Sequence, residues 1–220
     1  MGSYSSVFID IYRRYGTVCR IMGIIADKLL ELVREQGLVR PNALASLGIP
    51  RVALTRAVRR GQLERVGRGL YGLTTRPVSA HGTLAEVALR VPKGVVCLLS
   101  ALRFHDLTTQ APFEVWLAID NKAAAPRLDY PPLRLVRFSG AALTEGVEKH
   151  AVDGVSVHVT SVAKTVADCF KYRNKIGLDV ALEALRDAWN GKRMTSDQIW
   201  RYAKIDRVAN VMRPYLESLA

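Results

Sequence analysis

Four histidines, three cysteines and a few carboxylates are the side chains of this 220-residue chain with the widest chemical reach. His81, His105, His150 and His158 show neither H-x-x-x-H nor His–Cys spacing, so no metal site is expected. Cys19, Cys97 and Cys169 are odd in number, far apart and without a C-x-x-C pair, which fits reduced thiols rather than a disulfide frame or zinc site. Cys169 falls beside Val166 and Phe170 on the apolar side of a helical pattern and reads as core. Ser161-Val162-Ala163-Lys164 fits the S-x-x-K pattern of penicillin-recognising enzymes, yet the partner motifs S-D-N and K-T-G are absent. A helix cap accounts for Ser161 without any nucleophilic role. One catalytic arrangement stays open. Asp106 ahead of Asp120-Asn121-Lys122 has the outline of a metal-dependent nuclease, in which acids hold a divalent ion that activates water. The same triplet at the end of a strand also reads as a plain turn. The expectation is therefore a non-enzyme with no catalytic residue, no cofactor and no metal.

A second chemistry is written in arginine. Between Leu38 and Arg76 stand eight arginines and one acid, Glu64, so this stretch carries +7 of the chain's net +12. Phosphate backbones are the common partner of such a charge cluster, although an acidic protein surface also fits charge alone. Within the cluster, Gly67-Arg68-Gly69-Leu70-Tyr71-Gly72 satisfies G-x-G-x-x-G. A dinucleotide site needs a helix opening after those glycines to hold pyrophosphate. The residues that follow, Leu73-Thr74-Thr75-Arg76-Pro77, cannot open one, so the glycines read as turn residues.

The elements that must position the arginines are legible around them. Two short helical patterns are separated by a turn at Leu47-Gly48-Ile49, and Pro50 suits the first turn of the second. That second helix is predicted from about Arg51 to Arg60, ending at Gly61. Leu54, Ala57 and Val58 share one face, and Val52, Thr55, Arg56 and Arg59 point the other way. Leu63–Val66 and Leu70–Leu73 then read as two strands joined by Gly67-Arg68-Gly69. Helix, turn, basic helix and a small hairpin tipped with arginine form the order of a winged helix-turn-helix. A helix fits the major groove while the wing reaches phosphates or the next groove. Arg51, Thr55, Arg56 and Arg59 are the expected contacts from the recognition helix, with Arg65 and Arg68 from the wing.

An apolar share of 49% allows a sizeable core, and no apolar run approaches the 18 or so residues a membrane span requires. The start of the chain does not resemble a signal peptide, since its short apolar stretch is broken by Asp10 and no small-residue cleavage site follows. A cytoplasmic protein without a membrane partner is expected. Residues 1–23 form an N-terminal extension for which a short helix and a frayed segment fit equally well. Residues 24–76 are the winged helix-turn-helix, opening with a helix over Ile24–Glu35 that packs behind the recognition helix.

Arg76-Pro77-Val78-Ser79 reads as a linker to a mixed α/β domain over residues 77–220 with a helical C-terminal half, which makes the fold class α+β. Its expected elements begin with a helix capped by Thr83 and ending before Pro92, then a strand over Val95–Leu99 and a helical turn opened by Ser100. Strands follow over Phe113–Ile119 and Leu133–Phe138, the latter with Leu133 and Leu135 on one face. A hairpin turns at Asp153-Gly154. The helical half comprises a helix capped by Ser161, a helix over Leu178–Asn190, a capping box at Thr195, and a last helix reaching about Tyr215.

Three segments also carry a resemblance. RVGRGLYGL, then CLLSALRFHDLTTQAPFEVWLAI, then TSVAKTVADCFKYRNKIGLDVALEALRDAW are similar, in that order, to the AbiEi antitoxins of type IV toxin–antitoxin (abortive infection, phage-defence) systems. The similarity runs from about Ile24 to the C-terminus. It implies a transcriptional repressor that binds inverted repeats in its own promoter, with two copies fitting such a site. It also implies a second domain that counteracts a nucleotidyltransferase-like toxin, with or without a stable complex. The family pattern matches Ser100, Leu102, His105, Thr108, Thr109 and Pro112, and later Thr165, Asp168, Tyr172 and Arg173. These residues are either structural or toxin-facing, and the sequence leaves both open. A winged-helix repressor whose second domain binds a ligand or dimerises, without a toxin, is the alternative.

Overall fold

The computed structural model describes residues 22–67, 69–75 and 80–219. Most of the N-terminal extension with Cys19, the wing-tip Arg68 and the linker at residues 76–79 lie outside the described residues. The chain clusters into two compact units, one of residues up to 79 together with 153–155 and one of the remainder from residue 80 on. The fold is α+β, and the first unit is a winged helix.

In the first unit, helix α1 occupies residues 22–36, two residues longer at its start and one at its end than its apolar stripe suggests. Strand β1 (Leu38–Val39) leads into α2 (Pro41–Ala45) and α3 (Arg51–Arg59). The hairpin β2 (Leu63–Gly67) and β3 (Leu70–Leu73) completes a three-stranded antiparallel sheet in the order β1-β3-β2. Leu29 and Val33 of α1 close over Leu44, Ile49, Leu54, Ala57 and Leu63 in one apolar core. Pro50 sits one position before the expected first turn, as the extended N-cap of α3 (φ −72°, ψ 148°).

The end of α3 has a specific physical cause. Gly61 adopts φ +68°, its N–H donates to the Val58 carbonyl, and the Gln62 N–H reaches back to Ala57. This pair of bonds is a Schellman motif, which caps the last carbonyls and reverses the chain into β2. Gly72 lies in the central strand, where an added Cβ would stand 3.0 Å from the Leu38 side chain, so a larger residue would oblige that side chain to give way.

The second unit opens with α4 (Gly82–Arg90) and contains a five-stranded mixed sheet in the order β6-β5-β4-β8-β7. Its strands are β4 (Val95–Val96), β5 (Val115–Asp120), β6 (Leu133–Phe138), β7 (Val147–Val152) and β8 (Val155–Thr160), with α5 (Leu98–Phe104) and α6 (Ala141–Thr144) between them. The two-residue turn Asp153-Gly154 has φ of +50° and +76°, the twist a tight hairpin requires. The helical half is α7 (Val162–Lys171), α8 (Arg173–Ile176), α9 (Leu178–Asn190), α10 (Ser196–Ile205) and α11 (Ala209–Glu217). Ser161 and Thr195 cap α7 and α10 as expected.

Three local expectations are corrected. Helix α4 begins at Gly82 with His81 as its N-cap, so Thr83 lies inside it and forms no capping box. The apolar run Val95–Leu99 is strand for two residues only, because Leu98 turns to φ +48° and opens α5. Ser100 consequently sits inside α5, where its hydroxyl accepts the Trp116 N–H at 2.9 Å instead of capping a helix. In β6, Leu133 and Leu135 share one face as expected, and the buried pair Val136 and Phe138 lies on the other.

Candidate nucleic-acid interface

Helix α3 is held by one narrow apolar line. Leu54 and Ala57 are buried, Ala53 and Val58 are half-buried, and Arg51, Val52, Thr55, Arg56, Arg59 and Arg60 are exposed. At about 100° per residue, Val52 and Arg59 fall nearly on one line pointing directly away from the core, with Thr55 and Arg56 to either side. The face assigned to α3 from its sequence is thus the exposed one.

Around α3 the guanidinium groups divide by neighbourhood. Arg51 donates from Nη2 to Asn42 Oδ1 at 3.2 Å, and Thr55 Oγ1 donates to the Arg51 carbonyl at 3.4 Å. Both line an open cleft of about 550 Å³ with Arg40, Asn42, Gly69 and Tyr71, which brings the start of α2, the start of α3 and the wing to one concavity. Arg56 leans to the opposite flank, where Nη1 meets Met22 Sδ of α1 at 2.7 Å. Arg65 donates from Nε to the Gly67 carbonyl at 3.3 Å, which lays its side chain along the wing. Among the described residues, no carboxylate pairs with Arg51, Arg56, Arg59, Arg60 or Arg65. A face of uncompensated cations is chemically suited to polyanion contact.

Arg40, Arg60 and Tyr71 were not singled out by sequence pattern. Arg40 could have been found from Pro41, since proline at the first helical position places its predecessor at the N-cap. Tyr71 carried a strand signal alone, and its place in the cleft depends on the register Arg65↔Tyr71.

In the second unit the family-matched positions are largely turned inward. His105 donates from Nε2 to the Thr160 carbonyl at 2.7 Å, and burial holds its imidazole below the usual histidine range. Its ring also packs with Phe104, whose other faces meet His81 and His150. Leu102 is fully buried, and buried Thr108 accepts the Gln110 N–H, whereas Thr109 is exposed and Pro112 half-buried. Thr165 donates to the carbonyls of Thr160 and Ser161, and Arg173 to that of Phe170. The Tyr172 hydroxyl sits 3.5 Å from the Arg137 carbonyl, and burial raises its pKa to about 12.

Eight of the ten residues of α7 are buried, two of them charged. Lys164 therefore lies inside the core, bonded to Asp168 one turn on and to Asp206 at 3.0 Å, while Lys171 reaches Asp206 at 3.3 Å. Burial opposes the Lys164 ammonium, but the two carboxylates outweigh it and raise its pKa, while burial pushes Asp168 upward. Lys164 is thus an internal counter-ion, and Ser161 caps its helix by accepting the Lys164 N–H at 3.4 Å. Burial likewise pushes the Cys97 and Cys169 thiols upward, which suits core packing. Asp120 is exposed and accepts the Lys122 N–H at 2.8 Å, the geometry of a turn. Asp106 is exposed in the turn after α5 (φ +50°).

Residues 27–74, from within α1 to just past β3, match the family model described as transcriptional regulator, AbiEi antitoxin. The match bears out, for that segment, the resemblance carried by the sequence. No curated protein matches the chain. No helix among the described residues is long and apolar enough to cross a membrane.

Proposed function

We propose, from the AbiEi antitoxin likeness of residues 27–74, that this protein is a cytoplasmic antitoxin and autorepressor that binds operator DNA through α3 and the wing. The observation that carries this reading is the exposed, carboxylate-free arginine face of α3 beside a cleft shared with the wing. A recognition helix enters the major groove with its N-terminal residues at base edges, and the wing contacts the flanking backbone. Arg51 and Thr55 open into the cleft, Arg59 falls on the outward line of α3, Arg65 lies in β2, and Arg68 is a further contact in this reading. Two copies on an inverted repeat give the two-fold arrangement such sites use. The second unit supplies the antitoxin activity against a nucleotidyltransferase-like toxin encoded nearby, by opposing its effect without a required stable complex.

The test is protection of the DNA immediately upstream of this gene by the full-length protein, mapped to single bases. Two protected half-sites in inverted orientation are expected, lost together in Arg51→Glu/Arg59→Glu. Protection that is absent, or unchanged in that variant, removes the reading. Co-expression with the adjacent reading frame tests the other half: the same double variant should still relieve growth arrest.

A further inference from the structure

We infer that Val52 is a sequence-reading residue that packs against the 5-methyl group of a thymine in the major groove. The inference rests on the DNA-binding reading above and adds a base-specific contact to it. Val52 is 46% exposed, an apolar side chain in the first turn of α3 on a face otherwise made of arginine and threonine. Its position matters more than its exposure. It shares the outward line of α3 with Arg59, seven residues on, and Thr55 and Arg56 flank that line. A surface that meets the N-terminal end of this face meets Val52 on its outward line.

One flank of Val52 borders a pocket of about 310 Å³ with Met22, Ile25, Ala53 and Arg56, and the other stays open. Its rigidity comes from β-branching, because valine in a helix keeps essentially one rotamer. In the major groove only thymine offers a methyl group, and apolar side chains are its natural contact. Arginine on the same face suits phosphates or guanine, so the thymine methyl falls to an apolar group, of which Val52 presents more than the single methyl of Thr55. A leucine would reach further but lose more rotamer freedom on contact, and alanine would leave a gap.

The experiment uses the upstream DNA and a series in which each thymine of the protected region is replaced singly by deoxyuridine, which deletes only the methyl. The full-length protein should bind about fourfold more weakly at one thymine per half-site, the scale of one lost methyl contact. Val52→Ala and Val52→Ser should bind the unsubstituted DNA more weakly by a similar factor and lose all sensitivity to uracil at that position. Their melting temperature and their affinity for unrelated duplex should match the unaltered protein, because Val52 is outside the apolar core. Uniform tolerance of uracil, or a Val52→Ala protein that keeps the same uracil-sensitive position, overturns the role of Val52 alone. Failure to retain any duplex at low salt overturns the DNA-binding reading, and this inference with it.

Discussion

Lys164 in α7 and Asp206, just past the end of α10, meet at 3.0 Å with both side chains removed from solvent. They lie 42 residues apart in sequence, so this bond ties two helices of the second unit through charge in an otherwise apolar core. Deleting one partner of a buried ionic network leaves its mate unpaired, which costs about 3–5 kcal/mol. Lys164→Met should lower unfolding stability by about that much in urea denaturation. Adding Asp168→Leu to it should recover part of the loss. A Lys164→Met protein as stable as the original would show the network to be dispensable.

His105 supplies a pH dependence with a defined sign. Its folded pKa lies below the ordinary value, chiefly through burial, so the folded protein holds the ring neutral. The unfolded chain takes up a proton near pH 6.5 while the folded chain does not. The contribution of this group is therefore complete above about pH 6.5 and is lost progressively as the pH falls below it. Melting temperatures recorded from pH 7.5 to 5 should fall more steeply for the unaltered protein than for His105→Asn. Equal slopes would mean that other groups control the acid limb.

Gly61 tests whether the reversal after α3 depends on its backbone. At φ +68° with nothing within 4 Å of an added Cβ, Gly61→Ala meets no steric obstacle and pays only the left-handed conformation. The expected loss is about 1–2 kcal/mol, read as a lower denaturation midpoint. No loss would indicate that the Schellman turn relaxes at no cost.

Salt gives the quickest reading of the arginine face. Six phosphate contacts correspond to a slope of roughly −5 in log K against log salt, and removal of one contact flattens it by about 1. Arg59→Gln, at the outward centre of α3, is expected to do so, measured by fluorescence anisotropy from 50 to 300 mM salt. A slope unaffected by Arg59→Gln and Arg65→Gln together would take the phosphate backbone away from this face.

The winged helix was legible because its signals are local. Gly48, Pro50 and Gly61 mark the turns, the spacing of Leu54 and Ala57 sets the buried line, and arginine fills the remainder. Local pattern could not reveal which arginines share a concavity. Arg51 and Arg56 both read as exposed cations of one helix, yet one joins the cleft with the wing and the other leans on α1. In the second unit the strands and most helices were readable, but the role of Lys164 was not. Its partner Asp206 comes from a helix end 42 residues away, and no short-range periodicity carries that information. Ser100 failed as a cap for a related reason: the chain turns two residues earlier, at Leu98, which is fully buried at φ +48°.

The unpaired guanidinium groups of α3 and the wing also set how the protein should behave in the hand. Like charges held close, with Glu64 the one acid in the stretch, repel, and whatever shields them shifts the folding balance toward the native state by mass action. Preparations should therefore carry bound host nucleic acid through the first column, tolerate heat better with heparin present, and lose heat tolerance when stripped into low-salt buffer.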